Sequence, residues 1–148
     1  MLPDGHLLNI LNKFADILIR QKTEVFAIDN LGLAHGLSGY LLSLKNVNLN
    51  IEREDVQNLI LEIEEKLIKS YDSNLSGWKF KRNKEMICTN YWCTGSIGIA
   101  LSLSHLVSKK NEEKINEIQK DLEEYYIDTN KLLRSDTLCH GNLGVIDY

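Results

Sequence analysis

The chain has 148 residues, 43% of them hydrophobic and 26% charged, the scale and balance of one ordinary globular domain rather than of a disordered or fibrous chain. A formal net charge of −4 excludes an overall basic surface for neutralising phosphates, so nucleic-acid binding is set aside. Met1 opens neither a basic n-region nor a long apolar core, and no window approaches the ~20 apolar residues of a bilayer span, so the expectation is a cytoplasmic protein with no transmembrane segment.

Pro3 is the single proline, and the long stretches free of helix breakers predict an all-α fold. In chain order, Leu7, Leu8, Leu11, Phe14, Ala15 and Leu18 recur at three- and four-residue steps, the pattern of an amphipathic helix. Gly36 to Leu44 follows, apolar or small on nearly every side, as expected of a buried helix. Val56, Leu59, Ile60, Ile63 and Leu67 return to the one-sided pattern, and Glu62, Glu64, Glu65 and Lys66 read as its solvated face.

Tyr71 to Trp92 breaks the regularity with Asp72, Ser73, Asn74, Ser76 and Gly77, then basic Lys79, Lys81, Arg82 and Lys84, and reads as a long solvated loop. Gly95 to Val107 is a second buried segment, with His105 read as a core or edge histidine. Ile115, Ile118, Leu122 and Tyr125 mark a third outer helix, and Gly141 opens a third buried segment.

Each buried segment begins with two glycines three apart behind a possible ligand or base. The three starts are His35-Gly36-Leu37-Ser38-Gly39, Cys93-Thr94-Gly95-Ser96-Ile97-Gly98 and His140-Gly141-Asn142-Leu143-Gly144. The first glycines, at 36, 95 and 141, lie 59 and 46 residues apart, within or just above the usual range of helical-hairpin repeats. Paired glycines let backbones approach closely, and the residue before them is held at a helix N-terminus, whose dipole favours a thiolate.

An odd set of cysteines, Cys88, Cys93 and Cys139, in a chain without an export signal speaks against a disulfide framework. Metal ligands and small buried hydrophobes both remain open readings from composition. Cys93, Cys139 and His140 have the composition of a Cys2His site of the kind that holds a catalytic zinc with a fourth position free, but their spacing does not by itself decide between these readings.

Gly32-Leu33-Ala34-His35-Gly36, Trp92-Cys93-Thr94-Gly95 and Cys139-His140-Gly141, in that order, resemble the GxAHG, WCxG and CHG motifs of the lanthionine synthetase C (LanC-like) family. The resemblance implies an α/α toroid, here an incomplete ring of inner and outer helices. Cys93, Cys139 and His140 would hold Zn2+, and His35 would be the catalytic acid/base. The implied activity is lantibiotic cyclisation: a peptide cysteine thiol adds to dehydroalanine or dehydrobutyrine and forms a lanthionine or methyllanthionine thioether. The implied partners are a dehydrated precursor peptide and a dehydratase and exporter complex, with the chain at the periphery of a membrane-associated assembly.

The resemblance implies that residues 1–148 form a single partial LanC-like domain, with the family's N-terminal part and last helices expected to be missing. A catalytic aspartate that the family supplies from upstream has no counterpart here. An arginine that many members place just before the WCxG cysteine is replaced by Cys88-Thr89-Asn90-Tyr91, and Arg82 does not match its position. The second expectation is therefore a catalytically silent zinc-binding or interaction module derived from a truncated cyclase. A carbohydrate-acting toroid would need paired carboxylates, and Asp72, Asp136 and Asp147 offer no recognisable pair.

Overall fold

A computed structural model describes residues 5–27, 29–82, 85–129 and 139. Six helices and three short strands lie among them: α1 (Gly5–Arg20), α2 (Lys22–Ala27), α3 (Leu37–Ile51), α4 (Glu54–Lys69), β1 (Tyr71–Asp72), β2 (Gly77–Arg82), β3 (Glu85–Cys88), α5 (Ser96–Ser104) and α6 (Glu112–Thr129).

Helix α3 packs against α1, α4 and α5, while α5 packs against α3 and α6, so α3 and α5 form an inner layer with α1, α4 and α6 outside it. The buried residues follow this division. Leu37, Leu41 and Leu44 of α3 and Ile99 and Leu103 of α5 meet Val56, Leu59, Ile60, Ile63 and Leu67 of α4 and Ile115 and Leu122 of α6 in one core. The expectation of a helical fold with inner and outer helices holds for the described residues, which add a small three-stranded sheet to it. None of their helices is long and apolar enough to cross a membrane.

Helix α1 differs in detail from its sequence pattern. Ala15 and Leu18 are buried and Leu11 packs against the core, whereas Leu7, Ile10, Phe14 and Ile17 face outward, each more than 40% exposed. Two adjacent apolar stripes share this helix, and periodicity alone does not say which of them the rest of the chain covers.

The turn from α3 into α4 is held by local polar chemistry. Glu52 ends α3 in the left-handed region at φ 49° with its amide donating to the Asn48 carbonyl, and Asn48 Oδ1 accepts the Arg53 amide at 2.8 Å. Arg53 then bridges Asp55 on α4 and Asp16 on α1, each at 2.7 Å.

The segment 71–92, expected as a loop, contains an antiparallel three-stranded meander in the order β1-β2-β3, with Tyr71 opposite Trp78 and Lys79 opposite Cys88. Asp72 starts the first turn by accepting the Asn74 amide on its side chain and the Leu75 amide on its carbonyl. Trp78 anchors the sheet: it is 1% exposed, its indole N–H donates to the Leu67 carbonyl at 2.7 Å, and Tyr71 meets its ring edge-on. The basic run gave the segment its solvated look, while Trp78, the residue that fixes it, points into the helices.

Glu64, expected on the solvated face of α4, is fully buried. Lys45 of α3 lies 2.9 Å from it and also donates to the Ser102 and Leu103 carbonyls at the end of α5. Ser108 and Asn111, in the connection to α6, donate to the other carboxylate oxygen. Burial pushes the Lys45 ammonium below its ordinary value, and the hydrogen bond and charge of Glu64 oppose that shift. One ion pair thus ties α3, α4, α5 and the approach to α6 together.

Candidate active site

The first two glycine motifs fold in the same way. In the first, the Leu37 amide at the start of α3 donates to the Asn30 carbonyl at 3.0 Å, and in the second the Ser96 amide at the start of α5 donates to the Thr89 carbonyl at 2.8 Å. Both bonds reach back seven residues, and both satisfy a helix-start amide that has no partner inside its helix. Neither helix has a side-chain cap, so the motif loop itself supplies the cap.

The second glycine of each pair is required by close backbone approach. A Cβ on Gly39 would stand 2.0 Å from the Leu33 carbonyl oxygen, and one on Gly98 would stand 1.8 Å from that of Trp92, again the same offset in the two motifs. The repeat seen in the glycine spacing is therefore a repeated fold. Its register equates Ala34 with Cys93 and His35 with Thr94, and by position in the sequence it equates Cys139 with Cys93.

These equivalent residues are joined from one motif to the next. The Ala34 amide donates to the Cys93 carbonyl at 2.8 Å, and the Cys93 amide donates to the Cys139 carbonyl at 3.5 Å. Cys93 lies between its two counterparts, its carbonyl bonded to one and its amide to the other. Gly32 completes the first junction, since a Cβ there would stand 2.6 Å from Thr94 Cα.

The side chains follow from this backbone arrangement. Cys93 is buried at 5% exposure and donates to Thr94 Oγ1 at 3.9 Å, while Cys139 is half-buried. A hydrogen bond with the Cys93 thiol, then burial, pushes the Cys139 thiol above its ordinary value, the response of a thiol held next to another thiol. None of the three described cysteines is in a disulfide. His35 is exposed, one residue from the Ala34 amide that touches Cys93.

Cys93 and Cys139, joined through the backbone and by a hydrogen bond between their thiols, are residues of the type that can serve as thiolate ligands. His140 lies outside the described residues, as does the third buried segment from Gly141. Among the described residues alone, no three metal-ligating side chains form a group.

Cys88 lies on β3, with its sulfur 3.7 Å from Ser96 Oγ. Ser96 Oγ also accepts the Trp78 amide, so Cys88 belongs to the packing of the sheet on the start of α5. His105 closes α5 at the edge of the fold, with its Nε2 3.1 Å from Asn46 Oδ1. Asn30 was not anticipated from the sequence: its side chain accepts the Gly32 amide at 2.9 Å and its carbonyl caps α3, so it shapes the loop that carries His35. An asparagine two residues before the first motif glycine is the turn signal that marks it.

Layered helices whose inner members open on repeated glycine turns define an α-helical repeat scaffold. The model of lanthionine synthetase C-like proteins matches residues 5–148, and the chain belongs to that family. A search of the curated proteins gives no match, and neither does one of the solved structures.

Proposed function

We propose that this chain carries the metal-holding and proton-transferring part of a lanthionine cyclase acting on a dehydrated precursor peptide. The observation that carries the reading is the linkage of equivalent motif positions, Ala34 to Cys93 and Cys93 to Cys139, which supports a common centre for the two thiols and the His35 loop. Cys93 and Cys139 would hold Zn2+ together with His140, and the ion would supply a low thiol pKa for the incoming peptide cysteine.

The reaction joins the peptide sulfur to the β-carbon of a dehydro residue, and the α-carbon takes up a proton, so the thiol hydrogen is returned to the product and nothing is released. In this reading His35 would move that proton. It is exposed to an incoming peptide and fixed through Ala34 to the cysteine loop, and imidazoles as a class exchange protons near neutral pH. The helix starts of α3 and α5 add positive ends of helix dipoles next to the loops, which favour developing negative charge. A dehydratase and an exporter are the proposed partners, and a cytoplasmic position beside a membrane-associated complex is the proposed location.

The decisive experiment measures zinc per purified chain, for the wild type and for Cys93→Ala, Cys139→Ala and His35→Ala, together with thioether formation on a dehydrated peptide. The proposal expects zinc to be lost in both cysteine variants and kept in His35→Ala, with cyclisation falling by about 10²–10⁴ in the last. Zinc retained by a folded Cys93→Ala chain would overturn the ligand assignment, and full cyclisation by His35→Ala would overturn the acid/base role. Zinc binding without any cyclisation would favour the silent module, the reading that the tetrapeptide Cys88-Thr89-Asn90-Tyr91 in place of the arginine motif supports.

A further inference from the structure

Thr94 stands in the second motif at the position where the first carries His35 and, by place in the sequence, the third carries His140. Its side chain touches the buried sulfur of its own motif, the Cys93 thiol donating to Thr94 Oγ1 at 3.9 Å, a long contact of the kind a weak thiol donor makes. The backbone under this hydroxyl is fixed from the neighbouring loop, because a Cβ on Gly32 would stand 2.6 Å from Thr94 Cα. Branching at Cβ stiffens χ1 as well, so the hydroxyl has few directions to point in.

A sulfur at 5% exposure that gives up its proton has little water to hydrogen-bond it and needs donors from the protein. Nearby amides are engaged elsewhere. Those of Cys93, Gly95 and Ser96 donate to the carbonyls of Cys139, Tyr91 and Thr89 at 3.5, 2.8 and 2.8 Å. The Thr94 hydroxyl is a donor already in contact with the sulfur.

We propose that Thr94 is a positioning residue for Cys93 as a metal ligand, its hydroxyl donating to the Cys93 thiolate in the zinc-loaded chain. The inference rests on the ligand role proposed for Cys93. Ligation sends the thiol proton to solvent, and a sulfur without a proton can only accept, so the contact must reverse. A hydroxyl hydrogen rotates about its C–O bond, which lets one oxygen accept from the thiol and donate to the thiolate. The reversed bond is charge-assisted, stronger than the neutral one it replaces, and it draws electron density off the sulfur.

The test compares the full wild-type chain with Thr94→Val, which keeps the shape and removes the hydroxyl, and with Thr94→Ser, which keeps the hydroxyl. Zinc affinity is measured by competition with a chromophoric chelator, and chains loaded with cobalt(II) report the thiolate-to-metal charge-transfer band. Thr94→Val should bind zinc about 10- to 100-fold more weakly. Its cobalt band should move to longer wavelength, since a thiolate without its hydrogen bond gives up an electron more easily. Thr94→Ser should keep both properties near those of the wild type. Thr94→Ala also removes the hydroxyl, without adding bulk, and replaces Thr94→Val if that chain does not fold.

An affinity or a band unchanged in the hydroxyl-free variant, or changed equally in Thr94→Ser, would overturn the proposal while leaving Cys93 a ligand. A folded wild-type chain that binds neither zinc nor cobalt(II) would remove the ligand role itself and the inference with it.

Discussion

The amide of Ala34 donates to the carbonyl of Cys93 at 2.8 Å, joining the loop that presents His35 to the loop that presents the buried thiol. The two residues are far apart in sequence but occupy the same position in successive repeats. Because the bond is between backbone atoms, it depends on how closely the loops approach and not on which side chains they carry, and Gly32 sets that approach.

Gly32→Ala therefore tests the junction. The added methyl would stand 2.6 Å from Thr94 Cα and 2.8 Å from the Cys93 carbonyl oxygen, both backbone atoms that cannot rotate away. The expected cost is about 1–3 kcal/mol, read by denaturant unfolding, and the proposed zinc site adds the expectation that any zinc affinity falls with it. Gly5→Ala is the control, since nothing lies within 4 Å of its Cβ position, and it should be close to neutral. Equal stability of the two variants would remove the role given to Gly32.

The buried ion pair makes a second prediction. Glu64→Ala leaves Lys45 without its carboxylate at 1% side-chain exposure and should destabilise the fold by about 3–5 kcal/mol. The double variant Lys45→Met, Glu64→Leu removes both charges and should recover most of that loss. If the double variant were as unstable as Glu64→Ala, the network with Ser108 and Asn111, rather than charge pairing, would be the stabilising element.

Acid stability is set in part by surface carboxylates with fixed partners, Asp55 exposed and Asp72 half-buried. Hydrogen bonds from Arg53 hold the Asp55 carboxyl below its ordinary 3.8, and Lys79 does the same for Asp72. A folded value below the unfolded one means that the stabilisation is complete above the ordinary value and is lost as pH falls through the lower folded one. The melting temperature should be flat near neutrality and decline below about pH 4. Arg53→Gln should flatten that decline. The effect is small because the Asp55 side chain is 54% exposed and screened, and a decline of unchanged slope in the variant would exclude the pair as its source.

The outward stripe of α1 gives a contrast in scale. Phe14→Gln, at a side chain 43% exposed, should change stability by no more than about 0.5 kcal/mol. Leu41→Ala, at a fully buried position of α3, should cost about 2–5 kcal/mol. Urea unfolding of both variants checks the assignment of inner and outer faces, and a large loss from Phe14→Gln would place that side chain in the core.

Much of this molecule is legible in its sequence. Apolar periodicity separates α4 and α6 from the buried helices α3 and α5, because a helix face records its surroundings every three or four residues. Glycine spacing reveals the repeat, because only a residue without a Cβ fits against the carbonyls of Leu33 and Trp92. The motifs pick out Cys93, Cys139 and His35, and the described structure brings the two cysteines together and ties His35's loop to them through Ala34. His140 belongs to the same sequence pattern and lies outside the described residues.

What the sequence by itself determined was local: which segments are helical, which faces are apolar, and which residues can ligate or exchange a proton. Only the tertiary structure decided the pairings that cross between elements. Glu64 sits in a run of charges indistinguishable from a solvated face until Lys45 is found against it, and Trp78 hides in a basic segment until it reaches the Leu67 carbonyl. A residue's neighbours along the chain fix its conformation, but its neighbours in space fix its burial and charge environment, and those are set by how the elements pack.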